Sequence, residues 1–531
     1  MKGTTVSRRS FLTGASVVAL GAAASGMVTG CGSQSNIQTS DSTETLSETS
    51  KTSTWSFEVA PPPIADEDIS EVRETSILVI GAGPSGFASA LSALDAGEKD
   101  VIIVSKASSF NALGGSIHAV NSKQCKEIGY ECDVETISHD IREELKLMSN
   151  AGDTAKWMRA ALASGEMMDW LSSYTEAAGF QTVIEVAPNE PDNVYKGPIG
   201  THGFIGNGIP MAGVGVGAAL GVMEDAIKEK GGQIHYDTTV EQLVRENNNT
   251  GRVTAAIAKV DGKYVKYVAS KGIILATGCI TQNPEMLQKF APEAYEVTQY
   301  GIPQSPNSGE GTCMAFWVGA APQKNWPWAA ALYTPLFYAV DPNTFDFVST
   351  GPTYQNTMPG LAVNKAGIRF MNEDISCCMA VSPLTKQPDM TAFTIWTKNF
   401  ATALEPWCLF GQYYQDLSVN QYTGEEMIAK WDQYAGSEGV GETPLECNRF
   451  DTIEELAEHF ELPLEELTKT ITTYNEKCAQ GYDDEFGKRP GRLIPIEEEG
   501  PYYVMKYTPA LMSMFGGPPE FPTSYDVVGR S

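Results

Sequence analysis

ILVIGAGPSG, residues 77–86, runs from an apolar segment straight into a glycine turn. An apolar helical pattern follows over residues 87–94, and a second apolar run, Val101–Val104, comes about one helix later. This order predicts a βαβ unit, in which a buried strand meets a tight turn and a helix N-terminus. Backbone N–H groups at such a turn approach a pyrophosphate, and the helix dipole favours its negative charge.

The glycine turn alone leaves two interpretations open, because a GxGxxG turn between strand and helix is also a plain packing device. The βαβ context favours dinucleotide binding. One position departs from the usual pattern: folds of this kind place Asp or Glu at the end of the second strand, to bind a ribose. Here that position is Ser105, followed by Lys106. A serine hydroxyl binds a ribose less strongly than a carboxylate does.

Residues 1–30 have the pattern of a targeting segment. SRRSFL, at 7–12, is a twin-arginine pattern, and the small apolar stretch at 15–28 is too short for a membrane span. The preceding Val-Thr-Gly makes Cys31 a candidate lipidated N-terminus; the alternative is ordinary cleavage nearby, with Cys31 an incidental thiol. Residues 31–66 are rich in Ser and Thr and predict a flexible tether. We expect export by the twin-arginine route and a lipid anchor on the outer face of the cell membrane.

The chain has 531 residues and a formal net charge of −29. This charge argues against nucleic acid as a partner and against adsorption to an anionic membrane. Ten cysteines are present without a CxxC or CxxCH motif. A metal cluster assembled from dispersed thiolates therefore stays open, while buried free thiols are the commoner structural explanation.

Helical and strand patterns alternate along the body of the chain. The helical patterns cover residues 136–148, 154–178 and 218–230, and the strand patterns cover 233–236, 240–245 and a hairpin at 251–269 that turns at Asp261-Gly262. KGIILATG, at 271–278, predicts another buried strand that ends in a glycine turn. A capping box at Thr452 and Glu455 opens a pair of helices far from the first βαβ unit, which predicts a second domain.

Several separated motifs together resemble the FAD domain of the fumarate reductase and succinate dehydrogenase flavoprotein family. They are ILVIGAGPSGFASA, GGSIHAVNS, KGIILATG and SPNSGEG, and AVNKAGIRFMNED resembles the family's substrate-capping domain. The resemblance implies an α/β fold: a Rossmann-like FAD-binding domain with an inserted α+β substrate-capping domain. The implied bounds are 67–315 for the FAD-binding domain, 316–499 for the capping domain and 500–531 for a return to the FAD-binding domain, truncated at its C-terminus.

FAD is the cofactor that the resemblance implies. Gly81, Gly83, Gly86 and Ser105 are the candidates for its ADP half. The remaining candidates approach the pyrophosphate or the flavin; they are Gly114, Gly115, Ser116, Asn121, Thr277, Gly278, Glu310 at the flavin end, and Gly516 and Gly517 beneath the flavin.

The family chemistry that the resemblance implies is reduction of a C=C bond conjugated to a carbonyl. Flavin N5 delivers a hydride to the β carbon and a protein acid protonates the α carbon. The family's acid and carboxylate-binding arginine corresponds here to Cys377, an upstream Glu and Arg correspond to Thr353 and Asn356, and a His-His pair corresponds to Met512-Ser513. A site without these arginines cannot hold a desolvated dicarboxylate, so fumarate is excluded as the expected substrate.

The replacements predict a larger, neutral and apolar substrate. Any one of these aromatic or methionine side chains is more often part of an ordinary core, so the prediction rests on the whole set of replacements. The set consists of Trp326, Trp328, Tyr333, Met512, Met514 and Phe515. A closer resemblance, to the reductases of cardiac glycosides such as digoxin within this family, implies an unsaturated lactone as substrate. It also implies a 4Fe-4S cluster beside FAD, which the cysteine spacing does not show.

Candidates for the proton donor are Tyr333, Tyr354 and Cys377. A phenol is a plausible acid for an enolate, whereas Cys377 as a thiol can donate a proton, bind a cluster or merely pack. His118 and His202 lie in glycine-rich stretches, where histidine more often has a structural hydrogen-bonding role.

The chain has no second dinucleotide fingerprint, so we expect electrons from a membrane-associated cytochrome or quinol chain rather than from NAD(P)H. Two further functions stay open. One is a flavoprotein dehydrogenase or oxidase that works in the opposite direction, and the other is a non-catalytic binding protein on a flavin fold.

Overall fold

The computed structural model divides the chain into Met1–Ser53 and Thr54–Ser531, and everything described below belongs to the second unit. The structure describes residues 55–111, 117–127, 129, 131–139, 154–184, 201–206, 216–298, 307–322, 326, 328–333, 360–374, 377–404, 425, 428–429, 432, 435 and 447–514. Among the helices in these ranges, none combines the length and apolar character that a bilayer crossing needs.

The strands, in chain order, are β1 (Ile69–Ile80), β2 (Val101–Val104), β3 (Ile117–His118), β4 (Phe180–Ile184), β5 (Thr201–Gly206), β6 (Gln233–His235), β7 (Thr239–Arg245), β8 (Val253–Val260), β9 (Lys263–Leu275), β10 (Trp328–Tyr333), β11 (Leu361–Asn364), β12 (Ala392–Trp396), β13 (Cys447–Phe450) and β14 (Tyr502–Met514).

The helices are α1 (Pro84–Asp95), α2 (Lys123–Glu127), α3 (Thr154–Ala177), α4 (Val216–Glu229), α5 (Glu246–Asn249), α6 (Pro284–Phe290), α7 (Pro292–Thr298), α8 (Glu310–Trp317), α9 (Cys377–Leu384), α10 (Asn399–Leu404), α11 (Ile453–His459) and α12 (Leu464–Gln480).

A six-stranded sheet carries the glycine turn, in the order β6-β2-β1-β9-β8-β7. The first four strands of this order are parallel, as the βαβ pattern predicts, and β7 and β8 continue the sheet antiparallel. Asp261 and Gly262 both have positive φ, which confirms the predicted hairpin. One expectation is corrected: residues 264–269 and 271–275 form a single strand, β9, which pairs along nearly all of β1.

The alternation of side chains places this sheet between two apolar layers. Val79 and Ile103 belong to a core shared with α1, α3 and α4. Leu78 and Ile102, one residue away on each strand, belong to a second core that includes Met314 of α8. Apolar layers cover both faces of β1 and β2, which is why residues 77–80 and 101–104 are continuous apolar runs in the sequence.

A second sheet, in the order β10-β14-β12-β11 with β13 also paired to β14, forms the capping region. Its core includes Phe393, Trp396 and Tyr503, with α11 and α12 packed on it. The predicted capping box is present, since the Thr452 hydroxyl accepts from the Glu455 N–H and the Glu455 carboxylate accepts from the Thr452 N–H. Strand β14 is thirteen residues long and pairs with β10, β12 and β13, so it holds this sheet together.

The segment just before β1 lies against the FAD-binding domain. Phe57 is 5% exposed and belongs to the core that includes Phe290. The Trp317 indole donates to the Phe57 carbonyl at 2.8 Å, and the Glu285 carboxylate accepts from the Ser56 N–H at 3.0 Å. Part of the stretch that sequence patterns assign to a tether is thus packed on α6 and α8.

Candidate functional site

The glycine turn after β1 is held between two neighbouring strands. The Gly81 N–H donates to the Val104 carbonyl at 2.8 Å, and Gly81 has φ +117°. A Cβ at Gly81 would overlap the Ala276 carbonyl oxygen, and a Cβ at Gly86 would overlap the Gly81 carbonyl oxygen. These two glycines therefore serve the tight turn and the close approach of helix and strand.

Gly83 is different, because it is the N-cap of α1 and the space beside it is open. A Cβ there would meet only the Asn111 carbonyl oxygen, at 3.7 Å. Its φ of −104° suits any residue, so the backbone conformation does not require glycine. The absence of a side chain at this helix N-terminus leaves the N–H groups of the first turn accessible to an anion.

Two further glycine turns pack beside the first. Gly278, after β9, has φ +78°, and a Cβ there would overlap the Asn307 side chain. Gly309, before α8, has φ +79°, and a Cβ on Gly311 would overlap the Thr277 side chain. The segments that the sequence analysis grouped as ATG and Gly-Glu-Gly are thus in direct contact with each other.

An ion pair lies at the end of β2. The Lys106 ammonium is 2.7 Å from the Glu310 carboxylate, and both side chains are about half exposed. The Ser105 hydroxyl, just before, accepts from the Ala107 N–H at 3.3 Å. The family resemblance assigned Glu310 to the flavin end, whereas this contact puts its carboxylate beside β2, where such folds bind the ribose.

The Glu310 carboxyl is held in its charged form. Partial burial opposes ionisation, but hydrogen bonds from Lys106 and Ser308 outweigh it and lower the pKa of Glu310. A carboxylate that is charged at neutral pH can accept hydrogen bonds from vicinal hydroxyl groups. Glu310 therefore offers a charged hydrogen-bond acceptor for a ribose, which the Ser105 hydroxyl does not.

Asn121 is engaged by the protein itself. It has φ +59°, and its side-chain amide exchanges hydrogen bonds of 2.9 and 2.8 Å with the backbone of Cys132. Nearby, the Ser122 hydroxyl lies 2.8 Å from His202 Nε2, and both side chains are buried. His202 thus has the structural role that the sequence analysis favoured, and Asn121 fixes the chain after β3.

These turns fit an FAD molecule on structural grounds. Gly83 is open where a phosphate would lie, Gly81 and Gly86 are closed by packing, and a carboxylate stands at the end of β2. The glycines have the three separate roles that a dinucleotide fold assigns to them. The predicted residues Gly114, Gly115, Ser116, Gly516 and Gly517 lie outside the described residues.

The capping region contains a buried charge cluster, which we define as Arg369, Glu373, Asp483 and Lys488. The Arg369 guanidinium donates to the Glu373 carboxylate at 2.9 and 2.8 Å and to Asp483 at 2.8 Å. Lys488 Nζ lies 3.3 Å from Glu373 and donates to the Tyr474 hydroxyl at 2.8 Å. The RFMNED motif does not reveal Asp483 and Lys488 as partners, because they lie more than 100 residues further along the chain.

Burial and pairing shift the pKa values in this cluster in different directions. Burial opposes the charge on Arg369, but Glu373 and Asp483 outweigh it and raise the pKa of the guanidinium. Burial lowers the pKa of Lys488. Burial opposes ionisation of Asp483 too, yet hydrogen bonds from Arg369 and from backbone N–H groups lower its pKa to about 2.

The same motif leads to Cys377. Asp374 binds Arg489, with a hydrogen bond of 2.7 Å, and its carboxylate is 3.7 Å from Arg492. Cys377 is the first residue of α9, three positions further on. The charge cluster and the Asp374 pair thus anchor the segment that precedes the position of the family's arginine. The Cys377 side chain itself lies outside the described part.

The apolar residues proposed to line the substrate site fall into two groups. Trp326 is 2% exposed and stacks on Phe290 with 4.6 Å between ring centroids, so it is core and does not line a site. Trp328 lies opposite Met514, and Tyr333 opposite Thr508, in the β10–β14 pair. Their backbones are thus on adjacent strands. Tyr354 and Phe515 are outside the described residues.

Candidate metal ligands are dispersed over the described ranges. No group of three or more His, Cys, Asp or Glu side chains there could hold a metal ion. Cys313 and Cys478 are free thiols. The described residues therefore offer no support for the expected iron–sulfur cluster.

The family described as "FAD binding domain" matches residues 76–519. The chain belongs to this family. This confirms the expected family and FAD as the cofactor.

Relatives within this family are oxidoreductases. A probable fumarate reductase of Shewanella frigidimarina is 26% identical over 453 residues, which cover 83% of this chain and 65% of that protein. The chain thus spans slightly less than two thirds of that relative. The digoxin reductase of Eggerthella lenta is 24% identical over 540 residues, which cover 96% of this chain and 86% of that protein.

A solved structure supports the fold. The 3-ketosteroid-Δ4-(5α)-dehydrogenase of Rhodococcus jostii RHA1, in complex with 4-androstene-3,17-dione, superposes with a TM-score of 0.60 at 21% identity. The match covers 86% of this chain and 88% of that chain. The expected α/β architecture is therefore confirmed.

Proposed function

We propose that this chain is an FAD-dependent reductase of a C=C bond conjugated to a carbonyl, acting on a bulky neutral substrate. The observation that carries the proposal is the combination of an FAD cradle with a capping region whose arginine position is Cys377, the first residue of α9. A neutral substrate needs no paired cation, whereas a desolvated dicarboxylate does.

The residues of the cradle have separable roles. The first turn of α1 binds the pyrophosphate through backbone N–H groups that Gly83 leaves open. Glu310, oriented by Lys106, accepts hydrogen bonds from the ribose in place of the missing acid at Ser105. Bound FAD supplies hydride chemistry. The capping region supplies the substrate's surroundings and excludes water from the reacting atoms.

The proton donor is proposed from the capping region. Tyr333 ends β10, which pairs with β14, and Tyr354 and Cys377 remain the alternative donors. A donor near the α carbon protonates the enolate that forms after hydride transfer. Replacement of Tyr333 by Phe should slow single-turnover oxidation of the reduced flavin if its phenol is the acid; an unchanged decay removes Tyr333 from this role.

The substrate class is an enone or an unsaturated lactone such as that of the cardiac glycosides. Similarity to the digoxin reductase of Eggerthella lenta over most of both chains supports this class. The proposal therefore covers neutral conjugated carbonyls as a class, with the unsaturated lactone as one member.

Export and a lipid anchor at Cys31 are also proposed, with a membrane-associated cytochrome or quinol chain as electron donor. The twin-arginine pattern supports them, because that route carries folded proteins that already hold a cofactor. Release of a Cys31→Ser variant from the membrane fraction of the producing cell would support the anchor, and retention would contradict it.

The decisive experiment is anaerobic turnover with reduced viologen as donor. The purified protein is given digoxin, 4-androstene-3,17-dione and fumarate in separate assays. We expect viologen oxidation with a neutral conjugated carbonyl and none with fumarate. Fumarate turnover without turnover of the neutral compounds would overturn the proposed substrate class.

A second candidate function is dehydrogenation in the opposite direction. The structural similarity to a ketosteroid dehydrogenase favours it as the alternative. Oxidised enzyme that is bleached by a saturated ketone, together with no viologen-dependent reduction, would establish this direction instead.

A further inference from the structure

His118 is the exposed residue of the short strand β3. Its side chain is exposed, yet burial, with a smaller contribution from His202, lowers its pKa. A group on the outer surface would not lose solvation in this way. The His118 ring is thus reached by solvent but partly surrounded by protein, and its neutral form is favoured.

The backbone around His118 shows which way the ring points. Ile117 and Ala119, on either side, pack in the core that also contains Ala82 of the glycine turn and Phe87 of α1. Because successive side chains in a strand alternate, His118 projects from the opposite face.

The pairing of β3 with β5 supports this orientation of the His118 side chain. Ile117 lies opposite His202, which is fully buried, whereas His118 lies opposite Thr201. The two histidines are thus on different faces. His202 is bound to Ser122 in the core, and His118 is exposed on the other face.

The position is next to the FAD cradle. The Asn111 N–H donates to the Ala82 carbonyl at 3.1 Å, so the chain leaves the glycine turn only seven residues before His118. Ala119 returns it to the core beside α1. His118 therefore lies between two points at which the chain contacts the glycine turn or the core of α1, namely Asn111 and Ala119.

The ring of His118 has no structural task that the described residues reveal. Within the described ranges, no side chain or backbone group hydrogen-bonds to it, in contrast to His202 and to His235, which contacts Arg73 and Tyr267. An accessible imidazole beside a cofactor site, with its ring atoms uncommitted to the described fold, is suited to bind a substrate.

We propose that His118 is a catalytic residue that donates a hydrogen bond to the carbonyl oxygen of the substrate. The inference rests on the proposed reductase function. Hydride addition at the β carbon moves negative charge onto that oxygen, and a donor positioned there stabilises the charge as it develops. The lowered pKa keeps the ring neutral at neutral pH, so it provides one N–H donor without attracting a carboxylate. This agrees with an uncharged substrate.

The first test compares variants of the FAD-loaded protein. His118→Ala should lower kcat for a turned-over enone by about 10²- to 10³-fold, the usual loss for one oxyanion donor, while FAD content stays unchanged. His118→Gln, which keeps an N–H donor, should retain more activity, and added imidazole should partly restore His118→Ala. His459→Gln, at the exposed end of α11, is the matched control and should be unchanged.

Two results would overturn the role of His118. One is full activity of His118→Ala, and the other is loss of FAD together with activity and no rescue by imidazole or by His118→Gln. If the wild type reduces none of the conjugated carbonyls, the proposed function itself fails, whatever the variants do.

The second test does not depend on turnover. Diethyl pyrocarbonate modification of the oxidised holoprotein, read by peptide mass spectrometry, should label His118 and spare buried His202. Digoxin or 4-androstene-3,17-dione, whichever is turned over, should protect His118. Protection by FAD alone, or labelling that no conjugated carbonyl changes, would contradict a substrate contact.

Discussion

At the residue scale, the glycines of the turn differ in what requires them. Gly81 and Gly86 are fixed by neighbouring carbonyl oxygens, whereas Gly83 is next to open space. Sequence alone assigned all three to one motif. The structure separates two packing positions from one binding position.

Gly83→Ala should weaken FAD binding and leave the apoprotein folded. The new methyl would displace a phosphate from the first turn of α1, and loss of one charge-assisted hydrogen bond costs about 1.5–3 kcal/mol, which is about ten- to a hundredfold in Kd. Titration of apoprotein with FAD, followed by flavin fluorescence, measures it.

Gly86→Ala is the matched comparison for Gly83→Ala. Its Cβ would overlap a backbone carbonyl, so we expect the apoprotein to lose about 1–3 kcal/mol of stability, as overpacked sites do. Equal loss of FAD affinity and equal stability in both variants would contradict the division of roles.

Glu310→Gln should also weaken FAD binding, by about tenfold or more, since a charged acceptor on the ribose is lost. Stability should change little because the Lys106 pair is half exposed. Glu466→Gln, from an exposed pair with Lys469, is the control. Unaltered FAD affinity in Glu310→Gln would show that the carboxylate does not reach the cofactor.

At the scale of elements, the buried charge cluster ties the RFMNED segment to α12 and to the loop that follows it. Arg369→Met should destabilise the protein by about 3–5 kcal/mol, because it leaves Glu373 and Asp483 buried without a guanidinium partner. Urea unfolding followed by tryptophan fluorescence measures the loss. Arg449→Met, which removes an exposed pair with Asp451, should cost less than about 1 kcal/mol.

Asp483 should make stability depend on pH in the acid range. Its pKa falls from 3.8 to about 2 on folding, a difference worth about 2 kcal/mol. A lowered pKa stabilises the fold above the unfolded value, so this contribution is present above pH 4 and is lost as the pH falls toward 2. Asp483→Asn should be less stable at pH 7 and show a flatter profile between pH 4 and 2. A stability profile parallel to that of the wild type would contradict the lowered pKa of Asp483.

At the scale of the whole molecule, the segment just before β1 packs on α6 and α8. Phe57 packs with Phe290, and Trp317 of α8 binds its carbonyl. Phe57→Ala should lower stability by about 3 kcal/mol, as for other buried aromatics. Deletion of residues 1–53 should leave the melting temperature unchanged. A lower melting temperature in the deletion variant, together with an unchanged one in Phe57→Ala, would contradict this stabilising role of Phe57.

Local pattern was sufficient for the elements near the glycine turn. The strands at 77–80 and 101–104, the hairpin at Asp261 and the capping box at Thr452 were all predictable, because each depends on residues a few positions apart. The predictions were weaker where pairing partners are distant. Trp326 has the same character as a ligand-contacting tryptophan, and only its stacking on Phe290 shows that it is core.

The sequence by itself determined the βαβ unit and the FAD family, and it predicted that the usual ribose acid and substrate arginine are replaced. The tertiary structure alone decided that Glu310 lies beside Lys106, that Arg369 shares two carboxylates, and that His118 and His202 face opposite sides of one strand pair. The reason is physical: spacing along the chain sets helices, turns and alternation, whereas a charge or an imidazole acquires its role from the groups that folding brings to it.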